Sequence, residues 1–164
     1  MRKNHVLRRS RRQGGSAILE GALVLLPMMA MFFAMIDFPF ALFIQNTIRE
    51  AVREGVRFAI TQQTGSNGQD AAILAVAESY SMGFINAADI AASKTVFTIT
   101  YYNGTTLAAA TGTGSNAQGN ICVVYASVQH SWMAPVWRGT GILTFSASSS
   151  DVMEAPPGGI LPAR

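Results

Sequence analysis

The chain is predicted to be an α+β protein: a long apolar N-terminal helix that continues outward as an amphipathic stalk, then a second helix and a small antiparallel sheet of about three or more strands. Three observations predict it. An uncharged apolar run covers residues 21–36 directly after a basic leader. Ile44, Ile48, Val52, Val56 and Ala59 then recur at near-helical spacing. Beyond residue 94 the period changes from helical to alternating, in segments rich in β-branched and aromatic residues.

The leader comes first. Arg2, Lys3, Arg8, Arg9, Arg11 and Arg12 are half of the 12 basic residues, and everything after Gly15 holds six bases against nine acids. The formal charge of +3 over 164 residues therefore belongs to a tail. The remaining arginines sit among acids on one helix, which argues against nucleic-acid binding. A basic tail beside an apolar run predicts, by the positive-inside rule, a cytoplasmic N-terminus and export of Glu50 onward. The predicted divisions are a basic leader at 1–15, a transmembrane helix at 16–43, an exported α+β domain at 44–155 and a flexible tail at 156–164. No A-x-A-like cleavage site follows the apolar run, against a secretory signal peptide. Ser10-Arg11-Arg12 hints at a twin-arginine signal, but Gly14 and Gly15 stand where apolar residues are expected. An uncleaved signal anchor accounts for the charge and the apolar run but not for Glu20.

Residues 16–43 would make a helix of about 42 Å, while the uncharged part, 21–36, spans only about 24 Å against a hydrocarbon core of about 30 Å. A carboxylate thus lies near each interface, Glu20 on the cytoplasmic side and Asp37 on the outer side. Because a carboxylate in hydrocarbon costs about 2.5 to 3.5 kcal/mol on insertion scales, such a group calls for a partner. A cut after Gly15 would give Ser16 a free α-ammonium one helical turn from Glu20, able to pair with that acid on a neighbouring subunit. Asp37 is expected to be wet, followed by Phe38-Pro39-Phe40 as an interfacial belt with a kink. Pro27 is expected to bend or loosen the spanning helix, or simply to be tolerated there.

In the stalk, Arg49, Arg53 and Arg57 form a stripe interleaved with Glu50 and Glu54, which reads as a solvated face. The opposite face, carried by Ile48, Val52 and Val56, must cover either the domain's own sheet or another protein. Thr64-Gly65-Ser66-Asn67-Gly68 breaks the helix. Asp70 is expected to cap a second helix running to Tyr80 or on to Phe84. Strands are predicted over 95–102, 121–132 and 142–149, with 107–120 as a mobile loop and the Pro156-Pro157-Gly158-Gly159 tail having little reason to fold.

Chemistry is hard to place on this chain. Cys122, the single cysteine, cannot form an internal disulfide, and it lies with His130 on one face of the second predicted strand. Eight strand residues separate the two by about 26 Å, too far to share a metal or a proton, so Cys122 reads as a small buried hydrophobe. His5 has no companion ligand. No P-loop, dinucleotide fingerprint, nucleophile elbow or carboxylate pair is present. The expectation is a non-enzyme with no cofactor and no metal.

Gly15-Ser16-Ala17-Ile18-Leu19-Glu20 resembles the processing site of type IV prepilins, with a leader ending in Gly and Glu at the fifth mature position. Ala22-Leu23-Val24-Leu25-Leu26-Pro27, Ile36-Asp37-Phe38, and the stalk from Gln45 through Arg49-Glu50-Ala51-Val52-Arg53-Glu54-Gly55-Val56-Arg57-Phe58-Ala59 resemble the TadE-like proteins of the Tad (Flp) pilus system. Gly21 departs from the aromatic residue that often follows the family's Glu. The resemblance implies a minor pilin or pseudopilin-like component of pilus biogenesis and surface attachment, processed after Gly15. It also implies partners: a single membrane pass in the inner membrane, a prepilin peptidase, the major Flp pilin, other TadE-like or TadF-like minor pilins, and inner-membrane platform proteins. Processing would rest on Gly15, Ser16 and Glu20, and membrane and assembly contacts on Glu20, Pro27 and Asp37. Two alternatives stand beside it: an uncleaved single-pass scaffold of an envelope or secretion complex, and an exported enzyme tethered by its anchor.

Overall fold

The computed structural model describes residues 14–133, 139 and 141–164. Nearly all of the basic leader, with His5, lies outside them. The first element, α1, runs unbroken from Gly14 to Ile60 over 47 residues, through both Pro27 and Pro39. At 1.5 Å per residue this is a rod of roughly 70 Å. The apolar run and the stalk are one element, as the unbroken helical period after residue 40 predicts. The helix stops where Thr64 to Gly68 form turns, with Gln62 at φ 57 and Gly68 at φ 93.

Helix α2 spans Gln69–Tyr80 and α3 spans Ala87–Ala91. Strands β1 (Thr95–Tyr102), β2 (Ala109–Ala110), β3 (Ile121–Ser131) and β4 (Ile142–Val152) form one antiparallel sheet in the order β2-β1-β3-β4. Strand β1 has the predicted bounds. β3 ends one residue early and β4 runs to Val152 instead of residue 149, and neither β2 nor α3 was predicted.

The stalk half of α1 lies across one face of this sheet. Ile44, Ile48, Ala51, Val52 and Ala59 are fully buried, and so are Cys122, Val124 and Ala126 on β3. Pairing puts Val128 opposite Phe145, Ala126 opposite Ala147 and Val124 opposite Ser149, so the alternation of both strands turns one set of side chains toward α1. Burying Ile44, Ile48, Val52 and Val56 contributes roughly 1.5 to 3 kcal/mol for each side chain. Helix α2 packs beside α1, with Ile73 against Gly55. Arg49, Arg53 and Arg57 face solvent, and the Arg53–Glu50 and Arg57–Glu54 pairs, at 3.6 and 3.7 Å, are surface contacts of small energetic weight.

The far end of the domain corrects three expectations. Asp70 does not cap α2: Gly68 heads the helix without a side-chain cap, and the Gln69 amide donates to the Ala163 carbonyl at 2.8 Å. The Asp70 carboxylate instead accepts from the Tyr101 hydroxyl at 2.9 Å and from the Arg164 guanidinium at 2.9 and 3.1 Å, with that guanidinium 4.4 Å above the Tyr101 ring. The segment expected to remain a loose tail is thus tied to α2 and β1. The predicted mobile loop is likewise anchored, since Asn116 is buried, donates to Gln69 at 2.6 Å and to the Pro162 carbonyl at 3.0 Å, and accepts from Gln62 at 2.8 Å. A backbone approach adds to this, for a side chain at Gly104 would collide with the Gly119 carbonyl. Buried amides bonded on several sides hold a loop without help from apolar periodicity.

Candidate functional site on the N-terminal helix

The two halves of α1 have different surroundings. Up to Ile36, most of its large apolar side chains are exposed, among them Ile18 at 76%, Leu23 at 75% and Met31 at 69%, while Met29 and Phe33 are half-buried. This half contains an 18-residue window of mean hydropathy 2.1 with 0% of it buried, long and apolar enough to cross a membrane. A helix apolar on every side and left largely uncovered by the described residues is suited to lipid or to the helices of other subunits.

Glu20 stands one turn into this half, and the Ser16 hydroxyl donates to its Oε1 at 2.9 Å. The i, i+4 spacing brings the two groups together, so the Ser16–Glu20 juxtaposition is present within one chain. Gly15 precedes Ser16 at the start of α1, and Pro27 lies inside the exposed half.

Asp37 departs from expectation. It was expected to be wet, but it is only 6% exposed. It lines an apolar hollow of about 560 Å³ together with Ala30, Ala34, Phe38, Ala41, Trp132 and Leu143. Trp132 and Leu143 come from the arms of the β3–β4 hairpin, so the hairpin helps to form the hollow that covers Asp37. Nothing near Asp37 in sequence signals that cover; the clue is Trp132, at the end of an alternating strand ninety-odd residues later. His130 is also accounted for: its ring lies 5.4 Å from Phe40 and 6.3 Å from Phe84, in an aromatic cluster that the sequence reading missed.

The stalk residues Ile48, Val52 and Val56 have exposures of 0, 0 and 3%. Of the two alternatives left open for them, they cover the domain's own sheet, and an intermolecular stalk contact would have to use another face. Cys122 is fully buried and its thiol is pushed up to about 12, first by burial. The Tyr101 hydroxyl is raised as well, again first by burial. A protonated, enclosed thiol is a poor nucleophile. Among the described residues no group of three or more His, Cys, Asp or Glu is placed to hold a metal ion.

The residues that combine an exposed apolar helix, the Ser16–Glu20 pair and the arginine-rich stalk, 15–57, match the family model of the TadE-like proteins. The segment is TadE-like. The match supports a Tad pilus-associated protein, and it ends before α2, so the sheet and both short helices lie outside it. No curated protein and no solved structure matches the chain. The TadE-like segment is therefore one continuous helix whose first half is bare and whose second half forms the core of the domain that follows.

Proposed function

We propose that this chain is a minor pilin or pseudopilin-like component of Tad pilus assembly, without enzymatic activity, anchored by the first half of α1 and processed after Gly15. The carrying observation is the Ser16–Glu20 contact at the head of an exposed apolar helix within the TadE-like match. Before assembly, lipid surrounds the bare half of α1. In a fibre, the same surface packs against the helices of neighbouring subunits.

Cleavage would turn Ser16 into the first residue, so that a positive α-amino group stands where the leader chain now continues. Glu20 of one subunit then pairs with that ammonium on the next, offsetting the cost of removing both charges from water. A single buried polar contact of this kind fixes axial register, as a lone polar residue does in a coiled coil. Pro27 leaves one backbone carbonyl without its helical donor, a local softness that neighbouring helices can cover. The partners on this reading are a prepilin peptidase, the major Flp pilin, related minor pilins and the inner-membrane platform, with the domain on the exported side and surface attachment as the use of the fibre.

Glu20→Ala in the native cell tests this. Membrane fractionation should find the variant in the membrane at wild-type level, while electron microscopy shows the pilus count reduced. Normal pilus number would remove the assembly role of Glu20, and an unchanged phenotype together with an intact leader would favour the uncleaved scaffold.

A further inference from the structure

The membrane-proximal end of the sheet domain has a surface that the pilin reading does not use. Two loops from distant parts of the sequence meet there, the 81–86 turn between α2 and α3 and the β3–β4 hairpin. Phe84 from the turn packs edge-on against Phe40 of α1 and His130 from the hairpin packs tilted against it, at 6.4 and 5.4 Å between ring centroids. Phe43 adds a further contact to Phe84 at 6.2 Å. Large apolar side chains are exposed on the same elements: Met82 on the turn, Met133 and Ile142 on the hairpin, and Phe38 on α1.

The length of the helix points the same way. Counted from Gly21, a hydrocarbon core of about 30 Å takes roughly 20 residues, ending near Phe40 and not at Ile36. Asp37 would then sit within the apolar layer, where a carboxylate facing lipid costs about 2.5 to 3.5 kcal/mol. It does not face lipid: Asp37 is 6% exposed, enclosed in a hollow that Trp132 and Leu143 of the hairpin also line. The hollow that these two residues line also includes Ala30 and Ala34, which belong to the uncharged run. Ala30 lies seven residues, or about 10 Å of helix, before Asp37. The hairpin arms thus border the same space as residues well inside the apolar segment.

We propose that the base of the domain is seated in the bilayer leaflet on its own side, with Met82, Met133 and Ile142 in contact with lipid acyl chains. This rests on the membrane-spanning reading of α1 and not on incorporation into a fibre. Lipid is the occupant because the apolar surface of the base is continuous with the exposed surface of α1 and is contributed by loops on separate elements, whereas a single docked segment would meet one side. The domain therefore does not stand off the membrane on a bare stalk; its 81–86 turn and the hairpin arms at Met133 and Ile142 are interfacial elements.

Spin labels test this on the full chain in vesicles of phosphatidylcholine and phosphatidylglycerol, in a Cys122→Ala background. Labels at Met82→Cys and Ile142→Cys read the base, one at Met28→Cys reads the anchor, and one at Thr106→Cys reads the far end of the sheet. Power saturation with oxygen and with a water-soluble nickel chelate should show residues 82, 142 and 28 favouring oxygen and residue 106 favouring nickel. If 82 and 142 behave like 106 while 28 favours oxygen, the seated base is wrong although the anchor stands. Nickel access at all four positions would overturn the membrane-spanning reading and this proposal with it. In the unlabelled chain, lipids brominated on their acyl chains should quench tryptophan emission; absence of quenching counts against the proposal.

Discussion

Residues 18–36 and 44–59 belong to the same helix and are both rich in aliphatic side chains, yet Leu23 is 75% exposed while Ile48 is fully buried. Periodicity makes the difference. In the second half the aliphatic residues keep to one stripe while Arg49, Arg53 and Arg57 hold the other side, so a sheet can cover the stripe and leave the charges in water. In the first half apolar residues occupy every side, and no single face in one chain could cover them. One rod thus serves two environments, and the boundary falls near Asp37, the first buried side chain along it from Ser16 onward.

The largest effect that would sharpen this contrast is a pair of truncations. Ile48→Ala should cost the folded domain about 2 to 5 kcal/mol, whereas Leu23→Ala should stay within about 0.5 kcal/mol. Denaturant unfolding of the domain in detergent measures both, and equal losses would dissolve the distinction between the halves.

Next comes the clasp at the far end. Asp70→Ala removes the acceptor of both the Tyr101 hydroxyl and the Arg164 guanidinium, leaving a partly buried hydroxyl unmatched. The expected loss is about 1 to 3 kcal/mol, read as a lower melting temperature by circular dichroism. An unchanged melting temperature would mean that residues 156–164 contribute nothing to the domain, as their composition alone suggests.

A pH effect of similar kind follows from burial. The Cys122 thiol is raised from 9.0 to about 12 in the folded chain, so above pH 9 the unfolded chain releases a proton that the folded one retains. Stability therefore falls as pH rises from about 9 toward 12, by up to about 1.4 kcal/mol per pH unit for this group, and Tyr101 adds to the slope in the same direction. Cys122→Ala should flatten the alkaline decline by one proton's share, while an identical slope would place the effect elsewhere.

The smallest effect belongs to the solvated face. Breaking the exposed Glu50–Arg53 contact with Glu50→Gln should change stability by less than about 0.5 kcal/mol, measured by the same denaturant curves. A larger loss would show that the charge stripe has a partner of its own.

Elements set by local periodicity were legible from the sequence. The stalk stripe ending at Ala59, the turn at Thr64 to Gly68 and β1 at Thr95–Tyr102 follow from spacing that each segment carries within itself. What escaped depends on residues far apart in the chain. Asp70 reads as a helix cap until Arg164 and Tyr101 compete for its oxygens, and Asp37 reads as wet until Trp132 and Leu143 arrive from the hairpin. α3 and β2, with five and two residues, are too short for any period to register. At the candidate site, Ser16 and Glu20 were legible because a single helical turn joins them; which subunit Glu20 meets in an assembly is a property of several chains and not of one.

The account turns on whether Ser16 becomes the first residue of the working protein. Intact-mass and N-terminal sequencing of the chain purified from its native membrane or fibre should find Ser16 at the terminus, with residues 1–15 removed. A retained Met1 in cells that build pili normally would contradict it.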